Sequence, residues 1–175
     1  VLLFGDLPVL VAADSADVWA NRHLFHPDRA AGAPPDMYCA LGQRWGMPPY
    51  RWDALREEGY RYLREKLRRA GRFYDMIRVD HVVGLFRIWT IRKEEPLETG
   101  GLNGSFDPPD PAQWVPHGRE LLEAMSNATD ALLVAEDLGV TITTAPIVPT
   151  RSAEPEVWET FTPTPSPGAR KEARR

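Results

Sequence analysis

Cysteine is all but missing from this 175-residue chain: Cys39 stands alone and has no second thiol to pair with. No intramolecular disulfide can staple the fold, and a reducing, cytoplasmic compartment is the expectation. No apolar run approaches the roughly 20 residues of a membrane-spanning helix. A charged start followed by an apolar signal-peptide core is also missing, so neither a membrane association nor secretion is expected. Charge of one sign is scarce as well. Twenty-one Lys and Arg face 25 Asp and Glu, a net charge of −4 without a basic stripe, which argues against nucleic acid as a partner. The four histidines, His23, His26, His81 and His117, form no compact ligand motif such as HExxH. His81, Asp80, Glu136 and His117 are of metal-ligating type, but their spacing gives a metal no support. A Gly-rich phosphate loop and a GxSxG nucleophile elbow are likewise absent.

What is present suffices for one domain with a sizeable core. Apolar stretches at 1–12, 73–83 and 131–140 are short and Leu-rich or β-branched on both faces, as in parallel strands covered on both sides. Asp53 is placed to cap a helix whose apolar side is Leu55, Tyr62, Leu63 and Leu67, with Gly71 as its stop. A second helix is expected from about His117 to Ala128. Strands alternating with helices imply right-handed βαβ units, an α/β fold with a parallel sheet that is either a barrel or doubly wound. Two long connections interrupt the pattern. Residues 32–50 are rich in Pro, Gly and aromatics, and residues 94–114 read as a surface loop. The chain opens without Met inside a strand-like run, and from about Pro146 the alternation gives way to Pro, Thr and Ser and a basic end. The expectation is therefore a fragment: a domain over 1–140 and a divergent, disordered tail over 141–175.

Carboxylates at strand ends are the chemically informative feature. Tyr74-Asp75-Met76-Ile77 leads into Arg78-Val79-Asp80-His81, and Ala131-Leu132-Leu133-Val134-Ala135 leads into Glu136-Asp137. A carboxylate beside apolar strands is costly unless paired, hydrogen-bonded or used. Two on neighbouring strands would form the pair that cleaves a glycosidic bond, roughly 5–5.5 Å apart in a retaining enzyme. Arg78 shares a strand face with Asp80 and is expected to keep it ionised, as a nucleophile must be. The apolar approach to Glu136 is expected to raise its pKa, as suits a general acid. Asp137 would cap a helix or position Glu136. Each carboxylate taken alone is more commonly an ion pair or a helix cap; the repetition on two strands favours chemistry. Asp6 is a third acidic group at a strand. Trp45, Tyr38 and Trp19 are either core aromatics or platforms for sugar faces.

Six segments in order carry a resemblance: Gly5-Asp6-Leu7-Pro8, Asp14 to Ala20, Gly32-Ala33-Pro34-Pro35-Asp36, Gly42-Gln43-Arg44-Trp45-Gly46, Arg78-Val79-Asp80-His81 and Ala135-Glu136-Asp137-Leu138-Gly139. Over about residues 1–140 the chain resembles the 4-α-glucanotransferases, or amylomaltases, of glycoside hydrolase family 77. The resemblance implies a partial (β/α)8 barrel, about its third to fifth strands, with long loops over the C-terminal face. It implies Asp80 as nucleophile and Glu136 as acid/base. Arg78 and His81 would hold the nucleophile and sugar, Asp6 would contact substrate, Trp45 would lie beside the acceptor site, and Tyr38 would contact sugar. The implied partners are maltooligosaccharides or other 1,4-α-glucans, with no cofactor and no metal. Many members carry Tyr-Phe where this chain has Met37-Tyr38. The family's third carboxylate, in a His-Asp motif, has no counterpart between Val140 and Arg175, so the isolated piece is expected to be inactive. An α-amylase-type hydrolase and a non-catalytic glucan-binding remnant are the competing readings.

Overall fold

The computed structural model describes residues 1–136. Asp137, the segment beyond it and the expected tail lie outside the described residues. In chain order the elements are β1 (Phe4–Leu7), α1 (Ala16–Ala20), β2 (Arg29–Ala33), β3 (Gln43–Arg44), α2 (Trp52–Glu57) and α3 (Arg61–Ala70). They continue with β4 (Met76–Val79), β5 (Ile88–Arg92), β6 (Ser105–Asp107), α4 (Pro111–Ser126) and β7 (Leu132–Ala135). Strands and helices together make the fold α/β.

Three parallel strands lie in the order β1-β4-β7. Gly5, Ile77 and Leu133 align across the sheet, as do Leu7, Val79 and Ala135. This face joins Leu63 and Leu67 of α3 and Leu121 and Met125 of α4 in one core. Ile77, Leu67 and Leu121 are fully buried, each contributing about 1.5–3 kcal/mol. The opposite face carries the rows Phe4-Met76-Leu132 and Asp6-Arg78-Val134. Here the expectation of cover on both sides fails among the described residues, because Phe4 and Leu132 are more than half exposed.

A second, antiparallel sheet has the order β3-β2-β5-β6. Its short strands β3 and β6 and the end of β2 fall in what the sequence suggested were loops, at 32–50 and 94–114, while β5 precedes the second of them. The strand Arg29-Ala-Ala-Gly-Ala lacks the β-branched and aromatic residues that signal a strand. Its Gly32 is needed for close approach, since a Cβ there would run into the Gln43 carbonyl. Arg44 fixes β3 from its side chain, donating to the carbonyls of Glu95 at 2.8 Å and Lys93 at 3.1 Å.

The expected single helix from Asp53 is two helices. Gly59 and Tyr60 both take left-handed backbone, φ 62° and 56°, and separate α2 from α3. Tyr60 holds the break by donating its hydroxyl to Glu120 at 2.7 Å, while Arg56 binds the same carboxylate. Arg51 stands at the N-cap, so Asp53 falls in the first turn rather than capping it. Helix α4 starts six residues before His117, at Pro111, behind Asp110, whose carboxylate accepts from Ala112 N–H at 3.0 Å. Pro116 inside the helix disguised that start.

His117 is 5% exposed, its ring edge against Trp52 at 4.8 Å and its Nε2 without a hydrogen-bond partner among the described residues. Burial, with Arg56 nearby, pushes its pKa down to about 4. The unfolded chain takes up this proton near pH 6.5, so folding stability should drop as pH falls from about 6.5 to about 4. The contribution is at most about 3 kcal/mol. Burial lowers His26 and His81 in the same direction, so the check is a difference. In urea unfolding across that window, His117→Leu should lose part of the wild-type slope; an unchanged slope would contradict this.

Candidate active site

Because β1, β4 and β7 run parallel, their C-terminal ends meet at one edge. Asp6 sits directly opposite Arg78. One residue beyond β4, Asp80 donates its N–H to the Leu7 carbonyl at 3.1 Å. One residue beyond β7, Glu136 donates to the Val79 carbonyl at 3.0 Å and accepts from Val82 N–H at 3.2 Å. The alternation of strands thus brings Asp6, Arg78, Asp80 and Glu136 to the same face of the sheet.

Arg78 is the hub. Its Nη1 donates to Asp6 Oδ1 at 2.6 Å, and its Nη2 reaches Asp80 Oδ1 at 2.9 Å and Glu136 Oε1 at 2.6 Å. The sequence pointed to the Arg78–Asp80 pair but not to the other two partners. Both oxygens of Glu136 are occupied, since Oε2 accepts the His81 N–H at 2.9 Å. That N–H is aimed by left-handed backbone at His81, φ 47° and ψ 52°, a conformation that costs a non-glycine residue on the order of 1–3 kcal/mol.

These contacts reverse the expected ordering of the two carboxylates. The His81 N–H first, then Arg78 and Asp80, pull the Glu136 pKa down to about 2. Asp80 is pushed up, by burial first and then by the facing Glu136, with Arg78 opposing. The apolar run before Glu136 was expected to dominate through desolvation. Instead the carboxylate extends past the strand end into two donors, and hydrogen bonds to the ionised form decide the sign.

Trp45 comes to the same place from the second sheet. Its ring stands edge-on to the His81 ring, centroids 5.0 Å apart at 89°, and its Nε1 donates to Gln43 Oε1 at 2.9 Å. The sequence reading passed over Gln43, whose signal was its place two residues before Trp45 on one strand face. Tyr38 stands apart: its N–H is tied to Asp36 at 2.8 Å, and the residue is 91% exposed. Trp19 is likewise largely exposed and not a core residue. Among the described residues no group of three His, Cys, Asp or Glu could hold a metal ion. A cavity of about 620 Å³ lies elsewhere, lined by Asp17 and by Tyr62, Glu65 and Lys66 of α3. Among the described residues Asp6 is exposed at the strand ends, while Asp80, Arg78 and Glu136 are partly buried.

Chemically, the edge offers one clamped, ionised carboxylate beside one that holds its proton more readily. Asp80 Oδ1 and Glu136 Oε1 share one nitrogen, which confines these two oxygens to within about 5.5 Å of each other, below the roughly 6.5–9.5 Å of an inverting pair.

Comparison with known proteins adds an independent line. The sequence profile of the 4-alpha-glucanotransferase family matches residues 1–152. A 4-alpha-glucanotransferase of Chlamydia caviae is 42% identical over 139 residues, covering 79% of this chain and 25% of the relative. One from Thermus thermophilus is 35% identical over 148 residues, covering 80% and 27%. Among solved structures, the amylomaltase from Streptococcus agalactiae in complex with acarbose superposes with a TM-score of 0.68 at 31% identity. That match covers 81% of this chain and 28% of the neighbour. The chain thus spans about a quarter of the length of the curated relatives it matches.

Proposed function

This chain belongs to the 4-alpha-glucanotransferase family, and from that membership we propose that it supplies the nucleophile and the acid/base of a retaining transferase acting on 1,4-α-glucans. The observation that carries the proposal is the Arg78 nitrogen shared by Asp80 and Glu136, which holds these two oxygens within about 5.5 Å, the spacing of a retaining pair rather than an inverting one. Asp80 attacks the anomeric carbon while Glu136 donates a proton to the glycosidic oxygen. The C–O bond breaks, the leaving glucan departs as an alcohol, and a glycosyl ester remains on Asp80. Glu136, now a carboxylate, takes the proton of an acceptor 4-hydroxyl; that oxygen attacks the anomeric carbon and frees Asp80. Two inversions give net retention.

In the resting structure the contacts of Glu136 favour its ionised form, so loading the acid requires one of them to loosen. Both Glu136 oxygens are acceptors, and the first proton to bind the pair goes to Asp80. Arg78 has Asp6 and Asp80 to hold when it lets go of Glu136 Oε1. A glucan entering over the strand ends excludes water and loosens that contact, which raises the proton affinity of Glu136. Glu136 then takes up the proton it donates, while Arg78 keeps its hold on Asp80. Asp6, Arg78 and His81 contact the sugar at the cleaved bond. Trp45, and Tyr38 from its exposed loop, offer rings to the acceptor, favouring a second glucan over water.

For the architecture we propose a partial (β/α)8 barrel over residues 1–140, with 141–175 as a divergent tail. The monotonic order β1-β4-β7 supports it, as do functional groups at the strands' C-terminal ends. So does the open row of Phe4, Met76 and Leu132, which a closed barrel would line with further strands. No helix among the described residues is long and apolar enough to cross a membrane, and the free Cys39 accords with a cytoplasmic setting.

The test is incubation with maltotriose, followed by anomeric proton NMR. A protein carrying these residues at the relatives' full length should form glucose and maltopentaose with α-linkages. The 175-residue chain alone is expected to form neither. Accumulation of glucose and maltose without longer products would instead mark a hydrolase.

A further inference from the structure

We propose that Gly84 is a positioning residue for Glu136: the space left by its missing side chain seats the His81 ring, and that seating aims the His81 N–H at the Glu136 carboxylate. The significance for transfer rests on the role proposed above for Glu136; the positioning itself stands on local geometry.

Residues 82–85 form a 3-10 turn directly after His81, closed by Gly84 N–H donating to the His81 carbonyl at 2.8 Å. The turn folds Gly84 back under the imidazole. A Cβ built on Gly84 would lie 2.7 Å from His81 Cδ2 and 3.3 Å from its Nε2, with Ile88 Cδ1 behind it at 3.2 Å. Carbon atoms rest at about 3.5–4.0 Å, so an alanine there cannot share the space with the ring. The ring has no easy retreat, because Trp45 stands edge-on to it and Ile88 is fully buried. With the ring held between Trp45 and Ile88, the strain passes to the His81 backbone, which is already in the sparsely populated left-handed region. Backbone rotation there carries the N–H away from Glu136 Oε2, where it now sits at 2.9 Å. Gly84 is not required for its own backbone, which lies outside the left-handed region; it is required for what its side chain would displace.

The test uses the chain with ¹³C-labelled Glu and follows the Glu136 carboxyl by NMR as pH falls. Wild type should titrate near 2. In Gly84→Ala the midpoint should rise by about one pH unit, a tenfold change in proton affinity. His81→Gly/Gly84→Ala removes the ring but keeps the N–H, and glycine accepts the left-handed backbone, so its midpoint should return toward 2. An unchanged midpoint in Gly84→Ala, whatever its melting temperature, overturns the proposal. So does a double variant that titrates as high as the single one, or is as destabilised as it. No glucan enters the experiment, so its outcome is separate from whether the protein transfers glucans.

Discussion

Asp80→Asn is expected to lower glucan transfer by about 10⁴-fold or more in a protein carrying these residues at the relatives' full length, because no other described group is placed to form the ester. Asn retains the shape of Asp and can still accept a hydrogen bond from Arg78 Nη2, now at 2.9 Å from Oδ1. The fold and sugar affinity should therefore survive, and the loss should appear in kcat far more than in KM. Glu136→Gln should behave differently. Its defect should be severe for maltotriose, whose leaving group needs a proton, and mild in the first step for a glycosyl fluoride, whose leaving group does not. Equal losses on both donors would remove Glu136 from the acid role.

Arg78→Met has the second large expected effect, and it concerns protons. In the wild type the depressed pKa of Glu136 adds stability that is present above its ordinary value of 4.5 and lost as pH falls toward about 2. Without the guanidinium, Asp6, Asp80 and Glu136 face one another with no cation between them. The pKa values of Asp80 and Glu136 should rise, and the variant should lose less stability than the wild type as acidification protonates them. Urea unfolding of both proteins across the acidic range gives the comparison. Parallel stability curves would show that Arg78 does not organise the three carboxylates. In the full-length setting the same variant should shift the acidic limb of the transfer–pH profile upward, while Asp6→Asn should shift it weakly downward, since the Asp6 charge raises the Asp80 pKa.

Legibility in the sequence followed the range of the interactions involved. The α/β pattern was readable because each parallel strand is a short apolar run and each main helix has an apolar stripe. Asp80 and Glu136 were readable as strand-end carboxylates because the chemistry sits one residue past each run. Elements with weak local signals stayed hidden. Strand β2 is built of Ala and Gly, β3 has two residues, and the break at Gly59-Tyr60 depends on Glu120, 60 residues away. The inverted proton affinities could not be foreseen, because the groups that set them arrive from afar. His81 lies 55 residues from Glu136, and Asp6 lies 72 from Arg78. Local apolar context suggested one sign, and distant donors imposed the other.

The most direct test of the central claim, that Asp80 and Glu136 form a retaining pair, is mass spectrometry of a trapped intermediate. The Glu136→Gln variant, in a protein carrying these residues at the relatives' full length, is mixed with α-maltotriosyl fluoride and digested in acid. The fluoride leaves without an acid, and the missing base slows the second step, so a maltotriosyl ester should accumulate on the peptide containing Asp80. Fluoride release with no ester on that peptide, or an ester on another carboxylate, would contradict the account.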